Sequence, residues 1–538
     1  MHGRLKVRTT EEEQIRKKKE QEIKVKAYRL GMAKIFKKRQ NNELDMELYE
    51  LTSRILSSNP DVTSLWNIRR ECILLLVSKK KENKSLFEKD LSFTEQCLRV
   101  NPKSYGAWHH RVWVLETSNS PDWKKEVALC TQYLKLDERN FHCWDYRRYV
   151  VEKAGISAEK ELEFCTEKIE TNFSNYSSWH YRSKLLPQLY SHPTDASRPI
   201  SEERLKEELV LVLNAAFTEP NDSSAWFYQR WLLGYSQEEF DIAVFKMTKD
   251  QILIAFSRPI DLNACGYFHD STFETILNQR RWMPGTEGAK YDTIWMLRHN
   301  VDVSNTADFE LEYVTEEGKS CKMHICRTIN SLVGIKIPKF GYDFQSAVID
   351  ILKSQLHDCN ELLELEPDSK WTLLTSALLM RAINRTDKEY HQKSLENLHK
   401  LQKIDSLRAG YYKDLATKWN IEMQLEKWIR GGNLSNTLNL SKLNLTTLYY
   451  TQYLSVVEDI NLSGNQLTDR NLQKLSALKS CVKINLADNK IETLNNFPKL
   501  AALKQVILTG NAIPEKDEAE FQAKFLTSEE PESSTDSK

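Results

Sequence analysis

No apolar run in this 538-residue chain approaches the ~18 residues that would indicate a membrane-spanning helix. Net charge is missing too: 76 Lys and Arg cancel 76 Asp and Glu, so no global field recruits nucleic acid or an anionic membrane. The start, MHGRLKVRTTEEEQIRKKKEQEIK, lacks the apolar core of a secretory signal, and its charges alternate as on a solvated helix. The ten cysteines include no C-x-x-C pair. Cys321 and Cys326 are the closest two and lack the clustered set of His and Cys partners of a zinc site, so no metal site in this chain is expected. Reduced structural thiols in a cytoplasmic protein are the expectation. What remains, 28% charged and 40% hydrophobic residues, is the composition of a soluble globular protein long enough for several domains.

Tryptophan, by contrast, is abundant and ordered. Five stretches share one phrase: VTSLWNIRRECILLL, SYGAWHHRVWVL, NFHCWDYRRYVV, NYSSWHYRSKLL and DSSAWFYQRWLLG. Their tryptophans are Trp66, Trp108, Trp144, Trp179 and Trp226, spaced 42, 36, 35 and 47 residues apart. Arg69, Arg111, Arg147 and Arg182 follow at plus three, while the fifth copy has Arg230 at plus four. A faint sixth copy around Trp371 has neither arginine. Ser104, Asn140, Asn175 and Asp222 stand four residues before a Trp, as side chains that cap helix N-termini do. Trp then falls in the first turn and Arg one turn later on the same face, the ring filling the wedge between hairpins and the Arg head reaching a carboxylate or carbonyl. Five copies of one constellation mark packing, not catalysis, and predict stacked α–α hairpins.

The fold expected is multidomain and mainly α. The hairpin solenoid over 1–238 is interrupted by an Ig-like β-sandwich over 239–338, where Phe309, Leu311 and Tyr313 share a face with Cys321, Met323 and Ile325 across a TEEGKS turn. Helical hairpins resume over 339–430. Leucine-rich repeats occupy 434–515, with Asn465, Asn489 and Asn511 recurring 24 and 22 residues apart and Leu443 in the first copy's Asn slot. Residues 516–538 are expected to be a disordered tail.

The W-x-x-R helices behind Asn or Asp turns resemble the repeats of protein prenyltransferase α subunits, most closely in NPKSYGAWHHR, ERNFHCWDYRR and SNYSSWHYRS. With the sandwich and leucine-rich parts added, the whole chain resembles the branch of that family that modifies Rab GTPases. The resemblance implies half an enzyme. The α subunit wraps a β subunit that carries the zinc and the isoprenoid pocket, and the pair transfers geranylgeranyl from geranylgeranyl diphosphate to C-terminal cysteines of Rab GTPases, presented by a Rab escort protein. It also implies that Lys103 approaches the diphosphate with Tyr105 beside it at the subunit interface. The matching positions elsewhere are Arg139 and Phe141, then Ser174 and Tyr176, so the Lys–Tyr pair is not repeated. A lysine at a helix N-terminus adds to the positive end of the dipole, which favours an anion.

His109 and His110 are adjacent and cannot both face one ligand on a helix; packing against the partner subunit is expected of them. His2 lies on a basic start expected to be disordered. The rival to an enzyme subunit is a non-catalytic scaffold, whose helical, sandwich and leucine-rich surfaces bind proteins.

Overall fold

The computed structural model describes residues 11–79, 84–194, 198–234, 240–269, 273–303, 306–431 and 436–527, in two compact units, 1–189 and 190–538. Unit 1 starts with a long, largely exposed helix α1 (Glu11–Gln40). Four hairpins follow: α2 (Met46–Leu56) with α3 (Thr63–Lys79), α4 (Lys84–Val100) with α5 (Tyr105–Thr117), α6 (Trp123–Leu136) with α7 (Phe141–Ala154), and α8 (Ala158–Thr171) with α9 (Tyr176–Leu189). A fifth, α10 (Glu202–Thr218) with α11 (Ser223–Leu232), belongs to unit 2.

The predicted caps form. Ser104, Asn140, Asn175 and Asp222 accept from the backbone N–H groups of Ala107, of His142 and Cys143, of Ser178 and of Ser224. Each Trp is buried, and its indole N–H donates to the carbonyl six residues earlier. The acceptors are Pro60, Pro102, Glu138, Phe173 and Pro220, at 2.8 to 3.0 Å. The ring thus locks the turn before its own helix, and it packs against the ring two residues past the next Trp: Trp66 against His110, Trp108 against Tyr146, Trp144 against Tyr181.

The arginines tie three helices together. Each reaches back to a threonine on the helix before it: Arg69 to Thr52, Arg111 to Thr94, Arg147 to Thr131 and Arg182 to Thr166. Three also reach forward to a buried acid: Arg69 to Asp90, Arg111 to Glu126 and Arg147 to Glu161. Where guanidinium stacking occurs it uses Tyr49, Phe93 and Phe164, not the Trp rings. The fifth copy corrects the sequence alignment. Gln229, at plus three, takes the inner position and bonds Gln355 at 2.9 Å, whereas Arg230 is turned outward to the Tyr411 hydroxyl. A neutral amide pair replaces the ion pair there, and Arg230 is not equivalent to the other four.

The insertion departs from a two-sheet sandwich. Strands β1 (Ile242–Met247), β2 (Gln251–Ile260), β3 (Tyr267–His269), β4 (Met283–Pro284), β5 (Asp292–Arg298), β6 (Phe309–Val314), β7 (Ser320–Arg327) and β8 (Leu332–Ile335) form one antiparallel sheet in the order β3-β6-β7-β8-β1-β2-β5-β4. The reason is β7: most of it pairs with β6, but Cys326 and Arg327 pair with Val333 and Leu332 of β8, joining what would otherwise be two sheets. The sheet curls so that Phe245, Phe256 and Trp295 of one wing meet Leu311, Tyr313 and Met323 of the other in a single core.

Helices α13 (Ser346–Leu365), α14 (Lys370–Asn384), α15 (Lys388–Ile404) and α16 (Ala409–Arg430) follow, after a single-turn α12 (Glu274–Leu277) within the sheet region. The α10–α11 hairpin packs on α13 and α14, so the helical stack of unit 2 runs on past the insertion. The chain then winds into four parallel turns carrying β9 (Thr437–Asn439), β10 (Asp459–Asn461), β11 (Lys483–Asn485) and β12 (Gln505–Ile507), in register through Leu438, Ile460, Ile484 and Val506. Asn465, Asn489 and Asn511 stitch neighbouring turns. Asn465, for instance, accepts from the Leu443 and Leu445 N–H groups and donates to the Leu440 and Leu462 carbonyls. The residue before each Asn slot has a left-handed backbone: Lys442, Gly464, Asp488 and Gly510, at φ 57°, 67°, 54° and 76°. Leu443, which fills the first Asn slot, cannot stitch; Asn420 of α16 supplies the missing amide by donating to its carbonyl at 2.9 Å. The expected tail over 516–538 is corrected in part. Glu515–Thr527 is helical, with acids in its first turn and Phe521 packed on Phe497; residues 528–538 lie outside those described.

Candidate functional site

The turn Asn101–Ser104 is fixed on several sides. The Pro102 carbonyl accepts from the Trp108 indole and from Asn140 Nδ2, both at 2.9 Å. The buried Ser104 hydroxyl donates to the Pro60 carbonyl at 3.0 Å, and Asn101 Oδ1 receives the Lys103 N–H at 3.1 Å. Gly106 completes the approach: a Cβ there would meet the Trp66 ring at 2.7 Å. The repeat's packing residues thus hold the N-terminus of α5 rigidly while its outer side chains stay free.

Two of those are Lys103 and Tyr105. The Lys103 side chain is 59% exposed, and its ammonium has one distant carboxylate, Asp137 Oδ2 at 3.8 Å. Tyr105 is 71% exposed, with its ring set edge-on to His142 at 4.2 Å. Burial pushes the His142 pKa below the ordinary imidazole range; Asp145 opposes that shift and the Lys103 charge adds to it. The structure therefore brings a lysine, a phenol and an imidazole held toward its neutral form together at the start of one helix. His142 went unnoticed in the sequence, where nothing distinguishes it. A second missed feature was legible. The position three before Trp is aromatic in three successive copies, and Tyr105, Phe141 and Tyr176 are all exposed.

The histidine pair separates, and its expected use is corrected for His110. His109 is exposed and bonds Arg70, but His110 is fully buried inside its own chain. Arg70 Nε donates to His110 Nδ1, leaving Nε2 to carry the proton toward Asp90 Oδ2 at 2.5 Å. Burial holds the His110 pKa below the usual value even against Asp90. Burial also pushes the Asp90 pKa up, but Arg69 and His110 outweigh it and leave that carboxylate low. His110 fills the place that Tyr146 takes in the next repeat, where Tyr146 Oη bonds Glu126. His2 lies outside the described residues. Among the described residues, one group of three or more donors could hold a metal: Asp308, His324 and Cys326 on the curled sheet.

The repeat pattern of the protein prenyltransferase alpha subunit matches residues 87–118, 123–154, 158–189 and 205–236, the units of Trp108, Trp144, Trp179 and Trp226. Over nearly its whole length the chain is also similar to proteins named geranylgeranyl transferase type-2 subunit alpha. That from Bos taurus is 38% identical over 539 residues, covering 95% of this chain and 92% of the bovine one. The Homo sapiens protein matches to the same extent, and that from Dictyostelium discoideum is 30% identical over 424 residues, 78% of this chain and all of its own. The chain belongs to the geranylgeranyl transferase type-2 α-subunit family. It is therefore a prenyltransferase subunit rather than a scaffold, and a β subunit is its implied partner. The Trp66 unit precedes the matched repeats yet has the same indole bond and threonine–arginine–acid tie, so structurally it is a further repeat of the family's kind. No described helix is long and apolar enough to cross a membrane.

Proposed function

We propose that this chain acts in the cytoplasm as the α half of a protein geranylgeranyltransferase. The pair moves a geranylgeranyl group from geranylgeranyl diphosphate to C-terminal cysteines of Rab GTPases brought by a Rab escort protein. The observation that carries this reading is the exposed Lys103 and Tyr105 on a rigidly tied helix start, beside the aromatic column Phe141 and Tyr176 that offers an apolar seat to a β subunit. The C-terminal turns, with their Asn stitching, are read as a leucine-rich-repeat domain whose ligand is a protein surface.

The Lys103 neighbourhood fits an anion better than a metal. Its ammonium and the helix N-terminus are positive, and among the described residues Asp137 is the one carboxylate paired with it. The zinc of the reaction is assigned to the β subunit, where it would keep the acceptor cysteine deprotonated near neutral pH. The work left to this chain is to stabilise negative charge as it shifts onto the departing diphosphate oxygen, which Lys103 does in place. Tyr105, packed on His142, borders the same ground with a hydroxyl that can donate to a phosphate oxygen.

Two results test this. The purified chain, given zinc, geranylgeranyl diphosphate and an escorted Rab, should transfer nothing until a β subunit is added; turnover by the chain alone would end the proposed division of labour. In the heterodimer, Lys103→Ala should slow single-turnover transfer roughly tenfold to a hundredfold, the worth of one charge-assisted contact of about 1.5–3 kcal/mol. The same change should alter stability by only about 0.5 kcal/mol, since an exposed turn residue gives up no core contact. Wild-type transfer by a stably folded Lys103→Ala protein would make Lys103 an ordinary surface lysine.

A further inference from the structure

Strand β7 alternates: Cys321, Met323 and Ile325 are buried, while Lys322, His324 and Cys326 face solvent. This explains why the cysteine pair closest in sequence cannot chelate, since an odd separation sends Cys321 and Cys326 to opposite faces. What Cys326 does meet comes from the neighbouring strand. Phe309 stands opposite Ile325 and Glu310 opposite His324, a register that carries Asp308 to the level of Cys326. Asp308 is held there by the Arg327 N–H, which donates to its Oδ1 at 2.8 Å. On this outer face an Asp308 carboxylate oxygen, a His324 ring nitrogen and Cys326 Sγ all lie within 4.8 Å of one another.

We propose that Asp308, His324 and Cys326 form a binding site for a divalent transition-metal ion, with zinc as the ion it suits. The donor set decides the class. A thiolate and an imidazole favour zinc and its neighbours, whereas calcium and magnesium require shells of oxygen. Tetrahedral zinc with bonds of roughly 2.0–2.3 Å needs ligand atoms about 3.3–3.8 Å apart, so side-chain rotation on a fixed backbone closes the present spacing. The backbone is held by pairing at each position: His324 pairs with Glu310 of β6, Cys326 two residues on pairs with Val333 of β8, and Asp308 is tethered to the Arg327 N–H. Glu310 and Glu312, the other acids that β6 turns to this face, are drawn to Lys322 at 3.2 and 3.8 Å, which leaves the fourth position to water or to a donor from a bound partner. On binding, the Cys326 thiol gives its proton to solvent as the sulfur–metal bond forms, and no electron moves. The site is separate from the zinc assigned to the β subunit and does not depend on that assignment.

Cys326 also supplies the assay, because it is the one exposed cysteine of the ten. Full-length protein, copurified with its β subunit, is alkylated with iodoacetamide in the presence and absence of added zinc, and modification of Cys326 is followed by peptide mass. Zinc should slow alkylation of Cys326 about tenfold or more, because a metal-bound thiolate is no longer a free nucleophile. A chelator should restore the rate, and His324→Ala and Asp308→Asn, both exposed and remote from any core, should each abolish the protection. An alkylation rate indifferent to zinc would overturn the site. Protection that survives either variant would overturn it equally, since the thiol would then be capturing metal without the three-donor set.

Discussion

Replacing Glu126 by alanine should destabilise the chain by about 3–5 kcal/mol, the cost of stranding a buried charge. Glu126 takes two bonds from Arg111, at 2.7 and 2.8 Å, and a third from the Tyr146 hydroxyl at 2.6 Å. Burial alone would depress the Arg111 pKa, but Glu126 more than reverses this and raises it, so the guanidinium stays charged in a site closed to water. Without its acid it keeps only the Leu91 carbonyl and Thr94. Four helices, α4 to α7, meet at this group, and in a repeat stack each unit is supported by its neighbours, so the loss spreads to the adjacent hairpins. Arg111→Met combined with Glu126→Leu should recover most of the stability, because no charge is then left unpaired. Thermal and denaturant melts of the three proteins decide the matter. A Glu126→Ala protein within about 1 kcal/mol of wild type would place this ion pair among the surface kind that contribute little.

How far the sequence showed such a tie in advance depends on which partner is considered. The capped turn, the Trp and the Arg follow a fixed local spacing on one helix, and that grammar was plain. The threonine that each Arg bonds lies 16 or 17 residues before it, a regularity present in the sequence but hidden in the preceding helix. The acid lies 21, 15 or 14 residues after, because the connecting turns differ in length, and no fixed spacing could reveal it. Arg230 misled for a related reason. Its charge drew the alignment, while the burial that defines the position belongs to Gln229. Of the Asp308, His324 and Cys326 cluster only the spacing of His324 and Cys326, two apart on one strand, was visible; Asp308 joins them through register across two strands. Lys103 and Tyr105 were found through their likeness to a family; the structure adds His142 beside them and the rigidity of their turn.

Removing the C-terminal turns alone should be far more damaging than removing them together with the curled sheet. The packing makes the two parts depend on each other. Strands β6 and β7 alternate apolar and polar because one face meets water, but β1 and β2 are apolar nearly throughout because both faces are covered. On β2, Ile252, Ile254 and Phe256 enter the sheet's own core, while Leu253 and Ala255 join Ala243, Val244 and Ile294 against Leu438, Ile460 and Ile484 of the parallel turns. Ile421 and Leu425 of α16 complete that second core. Lys246 bonds Glu458 at 3.0 Å and Lys479 bonds the Gly285 carbonyl at 2.6 Å across the same boundary. Deleting residues 434–538 would bare seven buried apolar side chains, a loss on the order of 10 kcal/mol at about 1.5–3 kcal/mol for each of the larger ones. That is comparable to the whole stability of a typical domain. Replacing residues 240–337 by a linker in the same protein removes five of the seven, leaving Ile421 and Leu425 on a helix still held by α15. The doubly trimmed chain should therefore be soluble, bind its β subunit and retain much of the transfer rate at saturating substrate, while the 434–538 deletion should aggregate or melt at a markedly lower temperature. Equal solubility and melting temperature for the two would mean that the shared core contributes little. Loss of transfer by the well-folded double deletion, despite β-subunit binding, would instead place part of the reaction site on the sheet or the turns.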